Sequence, residues 1–462
     1  MLVEHSQVQN ASKESAKPET TFVTDTKDSS THNAVNKYHQ HSHHSKCQWL
    51  EQTTNHRQTI PIIATEKLHP SVNALWHLIE DNCEVRSLFT QMLQQIPNAP
   101  LYDKNSTGGP QFRKWMGLLC AFNDQLTEGP VWLYDTPGQQ GLIGFPFNTL
   151  LNRSMSTPAG LLAFHRPDVN AHLRDILTAY GNFLSSPASA AVLNSSTTGW
   201  LSQTALDALS RPDISDDTRP QFHDLFVSDP LHPTYGFSSW DAFFTRQFRP
   251  GIRPIASPSD DGVIVNACES TPMALERGVK LHDEFWVKGQ PYSLKQSKER
   301  EKQLEQALRF EGGTIYQGFL GALSYHRWHA PVSGVVEKVR KIQGTYFAGC
   351  PGLASREDLH DGEERKLDPS APNESQRALV YIRARDRRLG TVVFVAVGMA
   401  EVSNCEVTGE EIGMFHYGGS THCLILDPGV WLQFTDAVEE VEGKQQGDNL
   451  PVNGHLAEVV SG

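Results

Sequence analysis

This chain offers little that would tie it to a membrane. Across 462 residues the longest apolar run, Val392 to Ala400, is less than half the roughly 20 residues that a spanning helix needs. Paired cysteines are also lacking. The seven, at positions 47, 83, 120, 268, 350, 405 and 423, include no Cys-x-x-Cys spacing, which suits reduced thiols in a cytosolic protein. The N-terminus carries Glu4 and Glu14 and has neither an early apolar stretch nor an arginine-rich amphipathic pattern. Secretory and mitochondrial targeting are therefore not expected, and a cytoplasmic location is. Positive charge is in deficit, with 40 Lys and Arg against 53 Asp and Glu. The resulting net charge of −13 repels phosphate backbones and anionic leaflets, which removes nucleic acid from the expected partners. Only a local basic patch would override that repulsion at a phospholipid surface. Large apolar side chains are scarce in residues 1–60, which are rich in Ser, Thr, Asn, Gln, Lys and His and are expected to form a disordered polar tail. His39, His41, His43 and His44 in that tail have no cysteine or carboxylate at ligand spacing, so they read as solvated and no metal is expected. There is no internal repeat.

The rest can build a core. Apolar residues make up 38% of the chain, and its length allows two or three domains. From about 65 to 235 the spacing predicts helices: Val85, Leu88, Phe89, Met92, Leu93 and Ile96 recur at three- and four-residue intervals, as do Leu173, Ile176, Leu177, Tyr180 and Leu184. Gly138, Gly141 and Gly144, with two prolines, mark a loop between these stripes. After about 250 the texture turns strand-like, with short apolar runs at Gly262–Val265, Gly334–Val339, Leu379–Ile382, Thr391–Val397 and His422–Leu426. The charged, proline-containing stretch from Ser355 to Gln376 reads as a surface loop. The fold class expected is α+β, helices first and a β-rich core after them.

Near the C-terminus, Gly418-Gly419-Ser420-Thr421 places a serine after two glycines. Glycines can adopt the bent, positive-φ backbone that brings a hydroxyl onto the preceding carbonyl. A serine hydroxyl is a poor nucleophile until a base takes its proton, and a histidine oriented by a carboxylate is the usual base. Two distant segments contain such groups, Tyr325-His326-Arg327-Trp328-His329-Ala330-Pro331 and Ser257-Pro258-Ser259-Asp260-Asp261-Gly262. Either Asp260 or Asp261 can serve as the acid. Asp261 is preferred because it directly precedes the glycine.

These segments, in the order Asp, His, Ser, resemble the hallmarks of the phosphatidylserine decarboxylase family. The likeness extends to Phe243-Phe244-Thr245-Arg246, Arg253-Pro254, Val287-Lys288-Gly289 and Gly413-Met414-Phe415, and so covers roughly residues 235 to 440. The resemblance implies that Asp261, His329 and Ser420 form a self-processing triad. Ser420 Oγ would attack the Gly419 carbonyl, and the chain would part between Gly419 and Ser420. Residue 420 would be left as a covalent pyruvoyl group, the cofactor. A pyruvoyl carbonyl condenses with a primary amine and accepts the electrons released as CO₂ departs, so the implied substrate is a small-molecule α-amino acid. His326 is the implied proton donor to the decarboxylated carbon, and Arg327 is expected to have an ion-pairing, structural role. The expected organisation is a polar tail over 1–60, a helical N-terminal domain over 61–235 and a pyruvoyl-dependent decarboxylase core over 236–462. The processed chains would stay associated, with dimers of processed pairs, and no stable membrane insertion is expected.

Departures from the lipid-type pattern bear on the substrate. Ser324 stands where lipid enzymes usually have Asp before Tyr-His-Arg, and Gly398-Met399-Ala400-Glu401-Val402 replaces their Gly-Ala-rich stretch. At both places, and at Phe122-Asn123-Asp124, Gly199-Trp200-Leu201 and Gly344-Thr345-Tyr346-Phe347-Ala348, the chain looks like the soluble fungal L-tryptophan decarboxylase branch. An aromatic L-amino acid, L-tryptophan foremost, is the implied substrate, with Ser324 and Glu401 near its pocket. Thr421 does not choose between branches, because Gly-Gly-Ser-Thr also occurs in some eukaryotic lipid enzymes, and phosphatidylserine is the alternative substrate. A serine hydrolase built on the same triad is the remote alternative. Its nucleophile elbow calls for Gly-x-Ser-x-Gly, whereas His422 occupies the fifth position here.

Overall fold

A computed structural model describes residues 68–97, 112–132, 146–210, 220–280, 285–287, 290–292, 308–321, 323–347, 377–398, 405–406, 411–416, 420–440 and 449–460. The polar tail with its histidines, the loops around Gly141 and from Ser355 to Gln376, Glu401, Gly418 and Gly419 lie outside the described residues.

Helices come first. They are α1 (Pro70–Asp81), α2 (Cys83–Gln94), α3 (Trp115–Gln125), α4 (Pro146–Met155), α5 (Pro158–Phe164), α6 (Pro167–Leu184), a 3₁₀ turn Pro187–Val192, α7 (Gln203–Ser210), α8 (Phe222–Leu225) and α9 (Trp240–Phe244). Proline opens α1, α5 and α6, where its preset φ suits the first turn and its missing N–H would have no partner inside the helix. The break between α1 and α2 is set by Asn82, whose Oδ1 accepts from the N–H groups of Glu84 and Val85 at 3.1 and 3.2 Å. Both sequence-predicted stripes face inward. Val85, Phe89, Met92 and Leu93 are buried on α2, and Leu173, Ile176, Leu177, Tyr180 and Leu184 on α6.

The strands follow: β1 (Val263–Val265), β2 (Thr271–Arg277), β3 (Phe285–Val287), β4 (Gln290–Tyr292), β5 (Thr314–Leu320), β6 (Arg327–Trp328), β7 (Gly334–Ile342), β8 (Arg377–Ala384), β9 (Thr391–Val397), β10 (Cys405–Glu406), β11 (Gly413–Phe415), β12 (Ser420–Leu426) and β13 (Leu432–Phe434), then the short helix α10 (Asp436–Glu439) and β14 (His455–Val459). The main sheet is antiparallel, in the order β2-β5-β12-β9-β8-β7. Two smaller sheets, β1-β14-β13 and β10-β11-β6, and the hairpin β3-β4 complete the β structure among the described residues.

The centre of the main sheet is covered on both faces, which is why β9 reads as an unbroken apolar run. Val392, Phe394 and Ala396 join Leu424, Tyr316 and Leu320 in the large core that continues into the helices. Val393, Val395 and Val397 turn the other way, onto Ile315, Cys423, Val279 and Phe310. Strand alternation puts His422 on the first of these faces and Thr421 on the second. Thr421 is fully buried, and its hydroxyl donates to the Gly318 carbonyl at 2.7 Å. Among the described residues no helix is long and apolar enough to cross a membrane.

Candidate active site

Ser420 opens β12 and pairs with Leu320, the last residue of β5. Six residues beyond Leu320, the His326 carbonyl accepts a 2.9 Å hydrogen bond from the N–H of Phe415, itself five residues before Ser420. These two contacts close a ring of chain. The segment Tyr325–Trp328 is thereby held against β11, the strand that leads to the serine, through pairing of Arg327 with Met414 and of Trp328 with Gly413. On its other side, the His329 N–H donates to the Ala267 carbonyl at 2.9 Å, and the Val265 N–H donates to the Pro331 carbonyl at 2.9 Å. The stretch 265–270 is anchored in turn by Glu269, nearly fully buried. Its carboxylate accepts from Arg253 Nη2 and Nε at 2.7 and 3.1 Å and from the Val452 N–H at 2.8 Å.

The short helix α9 organises the histidine motif. Ser239 caps it, its hydroxyl accepting from the Ala242 N–H at 3.1 Å. The Phe244 ring stacks on the His326 imidazole with centroids 4.0 Å apart. The next residue, Thr245, offers its carbonyl to Arg327 Nε at 2.8 Å, and Arg246 donates to the Leu323 carbonyl at 2.9 Å. Arg246 is buried, which pushes its guanidinium down to about 10, and it lies 4.6 Å over the Phe226 ring. The Phe-Phe-Thr-Arg segment thus holds the loop between β5 and β6 in place. Ser324 sits half-buried in that loop, its N–H donating to the Gly321 carbonyl at 3.1 Å.

The two histidines of the motif have different surroundings. His326 is fully buried under Phe244. His329 has a buried Nε2 without a hydrogen-bond partner among the described residues. Burial pulls its pKa down; the Glu411 carboxylate opposes that shift and Arg327 adds to it. Glu411 is itself tied to Arg327 Nη1 at 2.5 Å, so Arg327 is an ion-pairing residue. The Asp261 carboxylate lies 3.2 Å from Arg385 Nη1, and Asp260 accepts the Gly262 N–H at 2.9 Å. Neither aspartate is hydrogen-bonded to His329 among the described residues. Asp261 is six residues before Ala267, the backbone partner of His329.

Two further histidines flank Ser420 in sequence. His422 is fully buried in the main sheet, 5.8 Å from both the Phe394 and the Tyr316 rings, and neither ring nitrogen has a hydrogen-bond partner among the described residues. Burial lowers its pKa to about 3, so it is neutral near pH 7. Glycine is required opposite it: a Cβ at Gly318 would come within 2.6 Å of His422 Cε1 and 2.7 Å of Ser270 Oγ. His416 Nδ1 lies 3.0 Å from each carboxylate oxygen of Asp241 on α9. Sequence reasoning passed over this pair. Its only signal was a histidine within the glycine-serine segment, because its partner is 175 residues away.

Two family models, both described as phosphatidylserine decarboxylase, match residues 69–209 and 240–450. The decarboxylase iboD of Amanita muscaria is 39% identical over 334 residues, which are 68% of this chain and 91% of that protein. The chain belongs to the phosphatidylserine decarboxylase family. As a member of that family it is a decarboxylase, a carboxy-lyase. The L-tryptophan decarboxylase of Psilocybe cubensis is 32% identical over 373 residues, 75% of this chain and 78% of that protein. Phosphatidylserine decarboxylase proenzyme 3 of Schizosaccharomyces pombe is 30% identical over 223 residues, 46% of this chain and 21% of that protein.

Phosphatidylserine decarboxylases are a pyruvoyl family, and the residues around position 420 suit such a group. The backbone of residue 420 is pinned at the head of a paired strand, opposite Leu320. Nε2 of His329 is buried and has no partner among the described residues, and a buried polar atom left without one costs about 1–3 kcal/mol unless a reacting group supplies it.

Proposed function

We propose that this decarboxylase cuts itself between Gly419 and Ser420, carries a pyruvoyl group at position 420, and converts a free aromatic L-amino acid, L-tryptophan foremost, to its amine and CO₂. The observation that carries this reading is the ring closed by the Ser420–Leu320 and Phe415–His326 contacts, which holds the histidine motif against β11, the strand that leads to the serine. His329 takes the proton from Ser420 Oγ. Its low pKa keeps it neutral and able to accept that proton near pH 7. Asp261 is its acid partner, and its Oδ1 also takes Arg385 Nη1 at 3.2 Å. The pyruvoyl group supplies an electron sink for the carboxylate's departure. His326, in the water-excluded layer beneath Phe244, delivers the proton to the product carbon, while Ser324 and Glu401 border the substrate pocket. The helices over 61–235 form one domain and residues 236–462 the catalytic one. The fragments 1–419 and 420–462 remain together after cleavage, because β12 is paired along both edges, to β5 and to β9.

A free amino acid is favoured over a phospholipid by how far each likeness runs. The similarity to iboD and to the tryptophan decarboxylase covers 68% and 75% of the chain, against 46% for the lipid proenzyme. Phosphatidylserine is the second reading, favoured by the description of both family models. The test compares kcat/KM for L-tryptophan, other aromatic amino acids, acidic and aliphatic amino acids, and phosphatidylserine in detergent, with no pyridoxal phosphate added. The non-aromatic arms are needed because the name of iboD, 39% identical against 32% for the tryptophan decarboxylase, states no substrate. Preference for the phospholipid overturns the assignment, and preference for a non-aromatic amino acid overturns its aromatic part.

A further inference from the structure

Forming a pyruvoyl group from Ser420 requires two protons to be removed from that residue, one from Oγ and one from Cα. His329 accounts for the first. We propose that His416, oriented by Asp241, is the base that removes the Cα proton of Ser420. This rests on the self-cleavage reading above.

The pair has the geometry of a histidine committed to a carboxylate. Nδ1 is 3.0 Å from both Asp241 oxygens, and the two side chains are 14% and 12% exposed. With Nδ1 holding its proton toward the carboxylate, Nε2 is the accepting nitrogen, and the anion stabilises the imidazolium that forms. Low exposure strengthens both effects by excluding water. Asp241 is fixed by position on α9 and by the Ser185 hydroxyl, which donates to its Oδ2 at 3.4 Å. Three residues along the same helix, Phe244 covers His326, so one short helix supports both a motif histidine and His416. Ser420 is the fourth residue after His416, at most about 14 Å of extended chain away, and the backbone is held on either side by the pairing of Phe415 with His326 and of Ser420 with Leu320.

The step balances without a co-reactant. Once the amide has become an ester of Gly419 on Ser420 Oγ, the Cα–H bond breaks to His416 Nε2, and its electron pair forms the Cα=Cβ bond. The Cβ–Oγ bond breaks, and that pair leaves on the Gly419 carboxylate. Addition of water to the resulting dehydroalanine and loss of ammonia give the pyruvoyl group. His416 is the catalytic residue here and Asp241 a positioning residue.

The test follows maturation of wild type, His416→Ala, His416→Gln, Asp241→Asn and His329→Ala by denaturing gel and intact mass, with and without hydroxylamine. General bases contribute at least about 100-fold, so both His416 variants should mature about 100-fold more slowly or worse. They should accumulate a full-length ester that hydroxylamine cuts to release a fragment with an unblocked Ser420, and added imidazole should restore maturation of His416→Ala. Asp241→Asn should slow the same step about tenfold. Maturation of both His416 variants at the wild-type rate overturns the proposal. So does an uncut, hydroxylamine-resistant chain like that expected of His329→Ala, because the defect would then precede the ester. Failure of the self-cleavage reading looks different: the wild-type chain itself would stay intact and carry no reactive carbonyl.

Discussion

Phe244 lies against His326 with ring centroids 4.0 Å apart and planes 25° from parallel, and both residues are almost fully buried. The phenyl ring keeps water from the imidazole and sets its plane. Truncation by Phe244→Ala removes a core ring and should cost about 3–5 kcal/mol of stability. Phe244→Leu refills most of the volume without the stacking face. The expected result is a small shift in Tm with a marked fall in kcat, measured by thermal melting and steady-state kinetics. Retention of full kcat in Phe244→Leu would show that the stack is packing alone.

Replacing Ser420 by Ala removes the proposed nucleophile at the head of β12 while leaving the backbone pairing with Leu320 intact. The variant should fold, remain one 462-residue chain and bind no carbonyl reagent. Intact mass and hydrazide labelling check this. An uncut wild-type chain with full decarboxylase activity would sink the idea.

The two motif histidines should separate. His329→Ala should remain uncut because the serine loses its base, whereas His326→Ala should be cut at least in part and then turn over poorly. Parallel measurements of processing and of amine release decide it, and identical behaviour of the two variants would abolish the division of roles.

The acid that serves His329 is also open to measurement. Asp261 is engaged by the exposed Arg385, and Glu411 is the carboxylate that acts on the His329 pKa in the resting arrangement. Asp261→Asn should slow maturation, and Arg385→Ala, which frees the carboxylate, should speed it. Glu411 raises the His329 pKa against burial, so Glu411→Gln should move the acid limb of the maturation rate profile to lower pH. Wild-type maturation in Asp261→Asn would remove Asp261 from the role and leave Asp260 and Glu411 as the carboxylates to replace next.

His422 gives a stability signature. Its folded pKa of about 3 lies below its unfolded value of about 6.5, so the folded state binds fewer protons between those values. The stability held by the neutral ring is fully present above pH 6.5 and is lost as the pH falls toward 3. In His422→Leu, Tm should fall less between pH 7 and pH 4 than in wild type. Equal losses would mean that the ring is hydrated rather than dry.

Periodicity and motif order were legible in the chain itself. Helical stripes such as Val85 to Ile96 and the run Thr391–Val397 depend on local spacing and on burial of one face or two, and these are properties of neighbouring residues. The segments that resemble a decarboxylase site were legible for the same reason, as short stretches with chemistry in their side chains. The tertiary structure decided which of those side chains meet. Asp261 engages Arg385, Arg327 takes Glu411, and His416 finds Asp241 from 175 residues away. Such pairings depend on strand register and on where one short helix docks, and both follow from the summed burial of many apolar residues rather than from any local pattern. His422 makes the same point: its sequence shows an ordinary titratable histidine, and complete enclosure by Phe394, Tyr316 and the glycine at 318 turns it into a neutral one.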